Sequence, residues 1–372
     1  MSFTFLTPRY TRIGRGARHE AAALIAARAT RVLLVRGGSV DWADTLAQDL
    51  EAGGVAVRQL RQRREPDIDD VRAAVEAARN HAADGIVAVG GGSVIDLGKA
   101  VAGLAPSPLD PLAYLTGGET LATPLPFVAI PTTAGTGAEA TKNAVLSLPD
   151  GRKLSLRDDR LVPDLALVDP ALTDGAPRSV TLASGMDAVV QLIEPYLSCR
   201  ATPLTDALCR DQAPRAIRAL ATLMSVEDAA ARDRLATASH LGGVALANSG
   251  LGVVHGYASV IGAFGGAHGA ICARLLPAAL AVNRAGAAKR GLQFHRFDTV
   301  RGWLADTFGA DDPPARLRAF LDQHGLPSLA DLGVRPEMHA SLADAALGAS
   351  STQANLFKPT QAEMVEILRA SA

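Results

Sequence analysis

Hydrophobic and polar positions in the first half of the chain alternate between short apolar runs and longer amphipathic stretches. The stretches Asp41–Gly53 and Ile68–Ala83 follow the helical period, whereas the apolar runs have the length and branched residues typical of strands. The predicted strands are Arg31–Val35, Val55–Leu60, Gly85–Val89, Pro126–Ile130 and Leu165–Val168. Strands that alternate with helices predict a parallel sheet with helices on both faces.

The pattern changes in the second half, where strand signals fade and long stretches rich in Ala and Leu follow the helical period. The predicted helices are Met186–Leu197, Leu204–Leu223, Ala229–Ala247, Ala278–Ala288 and Arg316–His324. Thr202 and Pro203 are typical of an N-cap and a first helical residue, and we expect Pro277 to open its helix in the same way. The chain is therefore predicted to have an α/β domain over residues 1–178 and an all-helical domain over 179–372.

Composition narrows the class of protein. The 372 residues are 48% hydrophobic, which suffices for buried cores, and the net charge of -1 argues against a nucleic-acid partner. No apolar run reaches the ~18 residues of a membrane span, and the N-terminus lacks a signal-peptide pattern. We expect a cytoplasmic protein without a membrane partner. Cys199, Cys209 and Cys272 are far apart and are interpreted as buried thiols rather than disulfides or a zinc knuckle.

A glycine-rich turn, Gly90–Ser93, follows the third predicted strand and opens a predicted helix over Val94–Leu104. Free backbone N–H groups at a helix N-terminus favour a phosphate, and glycine lets the backbone approach it closely. Asp96 and Lys99 lie on the first turns of that helix. A tight turn with nothing bound explains the glycines equally well, because the sequence is not a GxGxxG fingerprint.

A second loop, Ile130–Thr141, begins at the end of a predicted strand and is dense in hydroxyls and glycine. The alternative interpretation is an ordinary strand-to-helix loop with Thr136 as a cap. In an open parallel sheet, however, the loops at the carboxyl ends of the strands form the ligand crevice. Two such loops in one domain favour a dinucleotide site.

A row of polar side chains interrupts the first helix of the second domain. Asp187, Gln191 and Glu194 are spaced i, i+4, i+7, so they project to one side of the predicted helix. Taken alone, this row is best explained as the solvent face of an amphipathic helix.

Two histidines lie in a Gly- and Ala-rich, nearly uncharged region that should be buried. His255 and His268 are thirteen residues apart, which takes them off one helical face, so they converge only if the chain breaks at Gly262 or at Gly265–Gly266. Two imidazoles with a carboxylate suit Fe²⁺ or Zn²⁺ and leave room for a substrate oxygen. For either histidine alone, a hydrogen-bonded core residue is the alternative.

With these motifs in hand, the chain resembles the iron-containing (group III) alcohol dehydrogenases, which are related to maleylacetate reductases and glycerol dehydrogenases. The matching segments, in the family's order, are Gly14–Gly16, Gly90–Ser93 with Asp96 and Lys99, Pro131–Glu139, Leu167–Pro170, Gly185–Ala188, and the surroundings of His255 and His268. The resemblance implies a nucleotide-binding domain with a parallel sheet, an all-helical domain (the architecture of dehydroquinate synthase) and a metal in the cleft.

The resemblance also implies an activity: NAD(P)-dependent, metal-assisted hydride transfer to or from a small alcohol or aldehyde, in an enzyme expected to be a homodimer. By matched position, the cofactor-binding residues are Gly91, Gly92, Ser93, Asp96, Thr132, Thr133, Thr136 and Lys153. The metal ligands by the same matching are Asp187, His255 and His268, and the two histidines are the predicted catalytic residues.

The chain departs from the family at three informative positions. Gln191 stands where the family has its second ligand, a histidine; an amide oxygen binds Fe²⁺ or Zn²⁺ more weakly, and we keep Gln191 as the fourth ligand of the predicted set. Ser259 stands where a further histidine often serves in a proton relay. Gly37 replaces the acidic residue of NAD-preferring members, and with Arg36 it leaves room and positive charge for a 2′-phosphate, so NADP should be accepted.

Two alternatives remain open. A maleylacetate-reductase-like enzyme would need extra arginine or lysine around its dicarboxylate substrate, and the segments expected to line the cleft are poor in charge. A nucleotide-binding protein that had lost catalysis through Gln191 and Ser259 would retain only the cofactor site. The sugar-phosphate cyclases share the architecture, but the second loop fits the dehydrogenases better.

Overall fold

The structure, a computed structural model, describes residues 2–148, 152–292 and 294–372. The chain divides into two compact units. The α/β unit comprises Leu6–Thr133 and Gly137–Thr173, and the helical unit comprises Asp174–Ala372 together with the residues up to Phe5 and the short segment Ala134–Thr136.

The α/β unit contains a parallel sheet, as predicted. Its strands are β1 (Tyr10–Ile13), β2 (Arg31–Gly37), β3 (Ala56–Gln62), β4 (Gly85–Gly90), β5 (Phe127–Pro131) and β8 (Leu165–Val168), and a separate antiparallel pair is formed by β6 (Asn143–Ser147) and β7 (Lys153–Arg157). The order across the main sheet is β1-β8-β5-β4-β2-β3. The five predicted strands are confirmed with small shifts of their ends, whereas β1, β6 and β7 were not predicted.

Helices cover both faces of this sheet. They are α1 (Ala21–Ala26), α2 (Trp42–Ala52), α3 (Ile68–Asn80), α4 (Gly92–Leu104) and α5 (Pro111–Thr116). Along β2, Val32 and Leu34 pack into the cluster on the α1 and α2 side, and Leu33 and Val35 into the cluster on the α3 and α4 side. Because both faces are buried, the central strands are continuous apolar runs.

The second unit is helical, as predicted. Its helices are α6 (Arg178–Leu197), α7 (Pro203–Ser225), α8 (Ala229–Ser249), α9 (Val253–Ile261), α10 (His268–Lys289), α11 (His295–Phe308), α12 (Pro313–Gln323), α13 (His339–Gly348) and α14 (Gln361–Ser371). Thr202 caps α7 with Pro203 at its first position, as predicted. The prediction for Pro277 was wrong, because this proline lies inside α10 rather than at its start.

Among the described residues, no single helix combines the length and hydropathy needed to cross a membrane, and one pair bent by 101°, Ala229–Ser249 with Val253–Phe264, meets those criteria only when joined.

Candidate functional site

The polar row on α6 faces the interior of the helical unit. Asp187, Gln191 and Glu194 are 2%, 3% and 6% exposed. The interpretation of this row as a solvent face was therefore wrong, because α7, α8 and α10 pack around α6. Polar groups removed from water need partners, so this row marks a site that is satisfied by other side chains or by a ligand.

The two histidines converge because the chain breaks between them at the predicted glycines. Helix α9 ends at Ile261, a single 3₁₀ turn follows over Gly262–Phe264, and Gly265 adopts a left-handed conformation with φ 87° before α10 begins at His268. The ring centroids of His255 and His268 are 5.5 Å apart. A continuous helix would have placed them on different faces.

Both imidazoles face the same carboxylate. Nε2 of His255 lies 3.2 Å from Oδ1 of Asp187, and Nε2 of His268 lies 3.9 Å from it. Burial raises the pKa of the Asp187 carboxyl, but the hydrogen bond from His255 and the positive charges of both histidines outweigh it and hold the pKa below its usual value. Asp187 is thus ionised, the form that binds metal.

Glu194 fixes the orientation of His255. Its Oε2 lies 2.7 Å from Nδ1 of His255, and its Oε1 accepts a 2.7 Å bond from the backbone N–H of Val254 at the start of α9. A Cβ at Gly252 would come within 2.7 Å of Oε1, so glycine there admits the carboxylate to the helix N-terminus. With Nδ1 bound to Glu194, Nε2 is the nitrogen directed at Asp187.

The surroundings of His255 keep it basic. Burial lowers its pKa, but the neighbouring Cys272 and its bonds to Asp187 and Glu194 outweigh that, and the pKa lies well above its usual value. Without a cation, His255 is therefore protonated between two carboxylates, and a metal ion would replace that proton on Nε2.

Replacing Glu194 with glutamine is expected to weaken metal binding by about 10–100-fold, because an amide holds the imidazole less firmly and lowers its basicity. Competition with a chromophoric chelator measures the affinity. The exposed Glu366 on α14 offers a matched control, Glu366→Gln, which should bind metal like the wild type. Equal affinity in Glu194→Gln and wild type would show that Glu194 does not position His255.

Cys272 is a member of the site that the sequence analysis missed. Ligand atoms of Asp187, His255, His268 and Cys272 all lie within 4.8 Å of one another. A carboxylate, two imidazoles and a thiol are donors suited to a divalent transition metal, so the residues present fit such an ion. The available signal was the spacing of Cys272, four residues after His268.

Gln191, the predicted fourth ligand, is a neighbour of Asp187, and its role as a ligand stays a prediction. Its side chain hydrogen-bonds the Asp187 carboxylate, which lowers the pKa of that group. Its Oε1 is buried and has no hydrogen-bond partner among the described residues. Ser259, at the position of the expected proton relay, donates a 2.7 Å bond to the Gly256 carbonyl.

In the α/β unit, the two predicted cofactor loops leave adjacent strands at the same edge of the sheet. Gly90 on β4 is in register with Pro131 on β5, and the N–H of Thr132 donates a 3.0 Å bond to the Gly90 carbonyl. Gly91 precedes α4, and a Cβ there would lie 3.4 Å from Oγ1 of Thr133. This strand-turn-helix leaves the N-terminus of α4 as a suitable phosphate site.

Gly37 ends β2, the strand next to β4, but the predicted role of Arg36 was wrong. The Arg36 guanidinium is buried beneath α2, where it pairs with Asp44 and donates to the Val40 carbonyl at 2.5 Å. Its charge is therefore compensated inside the unit, and only the absence of an acidic side chain at Gly37 remains as a feature that would admit a 2′-phosphate.

The remaining predicted cofactor residues have diverse surroundings. Gly92 and Ser93 are the first residues of α4, and the Asp96 carboxylate accepts a 3.0 Å bond from the N–H of Val145 on β6. Lys153 on β7 forms a 2.5 Å ion pair with Glu65. Thr136 belongs to the short segment grouped with the helical unit.

Lys99 holds the end of the second loop and the first residue of β6. Its buried Nζ donates to the Ala138 carbonyl at 2.8 Å, to Oγ1 of Thr141 at 2.9 Å and to the Asn143 carbonyl at 2.9 Å. Burial lowers the pKa of Lys99 to about 8, although the negative charges of Asp96 and Glu139 act in the opposite direction.

This lowered pKa predicts a pH dependence of stability. Between the folded pKa of about 8 and the unfolded value of 10.5, the unfolded chain binds more protons, so stability from Lys99 rises with pH and gains about 3 kcal/mol across this window. Denaturant unfolding of wild type and Lys99→Met should diverge by that amount from pH 8 to 10.5. Lys358→Met, at an exposed lysine, should run parallel to the wild type; parallel curves for Lys99→Met would contradict the prediction.

Comparison with known proteins agrees with this geometry. Residues 8–170 match the family model "Iron-containing alcohol dehydrogenase", and residues 181–372 match "Fe-containing alcohol dehydrogenase family, C-terminal". The chain is 38% identical to the probable alcohol dehydrogenase EutG of Salmonella typhimurium, over 82% of this chain and 78% of that protein. It is 31% identical to the NAD-dependent methanol dehydrogenase of Bacillus methanolicus, over 98% of each.

Solved structures give the same result. A crystal structure of 1,3-propanediol oxidoreductase superposes with a TM-score of 0.91 at 29% identity, covering 100% of both chains. The maleylacetate-reductase-like and non-catalytic alternatives gain no support from these relatives. The chain therefore belongs to the iron-containing alcohol dehydrogenase family and is an oxidoreductase that interconverts alcohols and aldehydes with a nicotinamide cofactor.

Proposed function

We propose that the chain holds a divalent metal through Asp187, His255 and His268 and uses it to reduce a small aldehyde, or oxidise the corresponding alcohol. The observation that carries the proposal is the convergence of two distant histidines on one buried, ionised carboxylate. When bound, such a cation would stabilise negative charge on the substrate oxygen. The nicotinamide would supply or accept the hydride.

The chain's own residues supply position and electrostatics. Asp187 provides the charge that attracts the cation, and Glu194 fixes the His255 ring so that Nε2 faces it. His268, at the start of α10, is the more exposed of the two imidazoles, with 37% of its side chain accessible. It is the ligand on the side of the site that a substrate can approach.

For the cofactor, the proposal assigns the pyrophosphate to Gly91, Gly92 and Ser93 at the N-terminus of α4, and the neighbouring surface to Thr132 and Thr133. Exposed N–H groups and the helix dipole favour the negative charge there. Asp96, Thr136 and Lys153 complete the set inferred from the family resemblance.

The ribose end of the cofactor is assigned to Gly37. Since no carboxylate stands at Gly37 to repel a 2′-phosphate, we expect both NADH and NADPH to serve.

The names of several relatives support a substrate class. Besides the methanol dehydrogenase, they include a 1,3-propanediol dehydrogenase from Citrobacter freundii, 34% identical over 90% of this chain and 87% of that protein. Short primary alcohols and their aldehydes are therefore the proposed substrates. A cytoplasmic homodimer is proposed on the family resemblance alone.

Elemental analysis of the purified protein, paired with NADH and NADPH oxidation against a panel of short aldehydes, tests this function. We expect close to one equivalent of metal and turnover that is lost on chelation and restored by the metal. Full turnover in metal-free protein would overturn the proposed role of the site, and absence of turnover with every aldehyde would overturn the substrate class.

A further inference from the structure

The donor set of the metal site contains one sulfur. Cys272 follows His268 by one helical turn on α10, so both side chains project from the same face of that helix. Cys272 is fully buried, and its thiol is within hydrogen-bonding reach of both His255 and His268. A free thiol at this point is placed among metal-binding groups rather than in the apolar core.

Gln191 is a weaker candidate than the Cys272 thiol for the fourth ligand position of the metal site. Its side-chain N–H donates to Asp187, so the amide oxygen is the only atom of Gln191 that can bind a cation, and for Fe²⁺ or Zn²⁺ an amide oxygen is a weaker ligand than a thiolate. Its Oε1 remains without a partner among the described residues, so it is free to accept a bond from a ligand hydroxyl. Residue 191 is not the histidine that the family resemblance leads us to expect. A stronger ligand, the Cys272 thiol, lies close by on α10.

The distances agree with a single small ion. In a tetrahedral site with metal–nitrogen distances of ~2.1 Å and a metal–sulfur distance of ~2.3 Å, the ligand atoms are separated by roughly 3.3–3.8 Å. Oδ1 of Asp187 is already 3.2 Å from His255 and 3.9 Å from His268, and all four ligand atoms lie within 4.8 Å of one another. A small contraction of side chains suffices to close the site.

We propose that the Cys272 thiolate is the fourth protein ligand, in place of residue 191, and that it makes this a zinc-type site in a family named for iron. The inference rests on the proposed function. When the ion binds, the thiol proton and the Nε2 proton of His255 leave to solvent, a sulfur–metal bond forms, and no electron is transferred. A thiolate favours Zn²⁺, whereas a site built from imidazole and carboxylate alone accommodates Fe²⁺ as well.

X-ray absorption at the zinc edge tests this directly in the full-length wild-type protein. After chelator treatment and reloading with one equivalent of Zn²⁺, we expect one sulfur scatterer at about 2.3 Å together with nitrogen and oxygen scatterers at about 2.0–2.2 Å. This measurement needs no variant and does not depend on turnover.

Variants provide a second test of Cys272 as a ligand. Cys272→Ala should lose the sulfur scatterer and weaken zinc binding by more than about 100-fold, beyond the usual effect of removing a group that only supports a ligand. Cys209, a buried thiol on α7 whose pKa is raised by burial to about 12, provides the matched control, and Cys209→Ala should retain both the scatterer and the affinity. The double variant Gln191→His/Cys272→Ala should recover tight binding through nitrogen and oxygen alone, which separates loss of a ligand from loss of folding.

The outcomes distinguish this inference from the function on which it rests. Zinc bound through nitrogen and oxygen only, in an active wild-type enzyme, would overturn the Cys272 assignment and leave the proposed function intact. Failure of the wild type to bind any metal would overturn both. Unchanged zinc affinity in Cys272→Ala would also overturn the assignment.

Discussion

Replacing both His255 and His268 with alanine is expected to lower kcat/KM for aldehyde reduction by about 10³-fold or more. The metal-assisted stabilisation of charge on the substrate oxygen is worth several kcal/mol, and each 1.36 kcal/mol corresponds to a factor of ten in rate. The double variant leaves one carboxylate and one thiol, too few donors to hold the ion. Steady-state kinetics with NADH or NADPH, at saturating zinc, measure the loss.

The same variant should bind the reduced cofactor normally, because the proposed phosphate site lies in the α/β unit, on β4 and α4. Quenching of protein fluorescence on titration with NADH measures that affinity. A second double variant, His19→Ala/His295→Ala, removes two exposed histidines and should retain wild-type turnover. Full activity in the His255 and His268 variant would refute the metal site, and loss of cofactor affinity would show that the substitutions act on the α/β unit as well.

The sequence was most informative where burial is complete. β2 and β4 are covered on both faces, so each contains an uninterrupted apolar run, residues 32–35 and 86–89, that can be found without coordinates, although β2 continues through the buried Arg36. β1, by contrast, is a four-residue edge strand that reads YTRI and is half polar. Its pairing with β8 is decided by tertiary contacts, which no local pattern contains.

The histidines of the site were predictable from the sequence, whereas Cys272 was not. The spacing of His255 and His268 and the intervening glycines required a break, and the structure contains it. Cys272 was not identified as a site residue because Pro277 was interpreted as a helix start. That interpretation placed residues 268–276 outside a helix, where the i+4 spacing of Cys272 from His268 has no structural meaning. Helix α10 in fact runs through that proline. Its packing against α6, α9 and α14 outweighs the local cost of proline.

Helix α6 both carries site residues and forms a close packing contact with α10 in the helical unit. It carries Asp187 and Glu194, whereas the imidazoles and the thiol come from α9 and α10. The ligands can converge only if α10 approaches α6 very closely at its N-terminal turn, next to His268. Accurate placement of ligands therefore depends on a small residue at that contact, and the chain has Gly269 there.

Replacing Gly269 with alanine is expected to weaken zinc binding by about 10–100-fold and to destabilise the helical unit by about 1–3 kcal/mol. A Cβ at this position would lie 2.1 Å from the Ala183 carbonyl oxygen and 3.2 Å from Cβ of Asp187. The Ala183 carbonyl belongs to the backbone of α6 and cannot rotate aside as a side chain would, so α10 must move away and take His268 with it. Chelator competition and denaturant unfolding measure the two effects.

Gly302 provides the control for this prediction, because it also lies within a helix, α11, and a Cβ there meets no atom within 4 Å. Gly302→Ala should leave zinc affinity unchanged and stabilise the protein by up to about 1 kcal/mol, the difference in helix propensity between the two residues. In Gly269→Ala the same propensity gain is present but is outweighed by the overlap with α6. If both variants were equally stable and bound zinc equally well, the close approach of α10 to α6 could not be what holds His268 and Cys272 against Asp187.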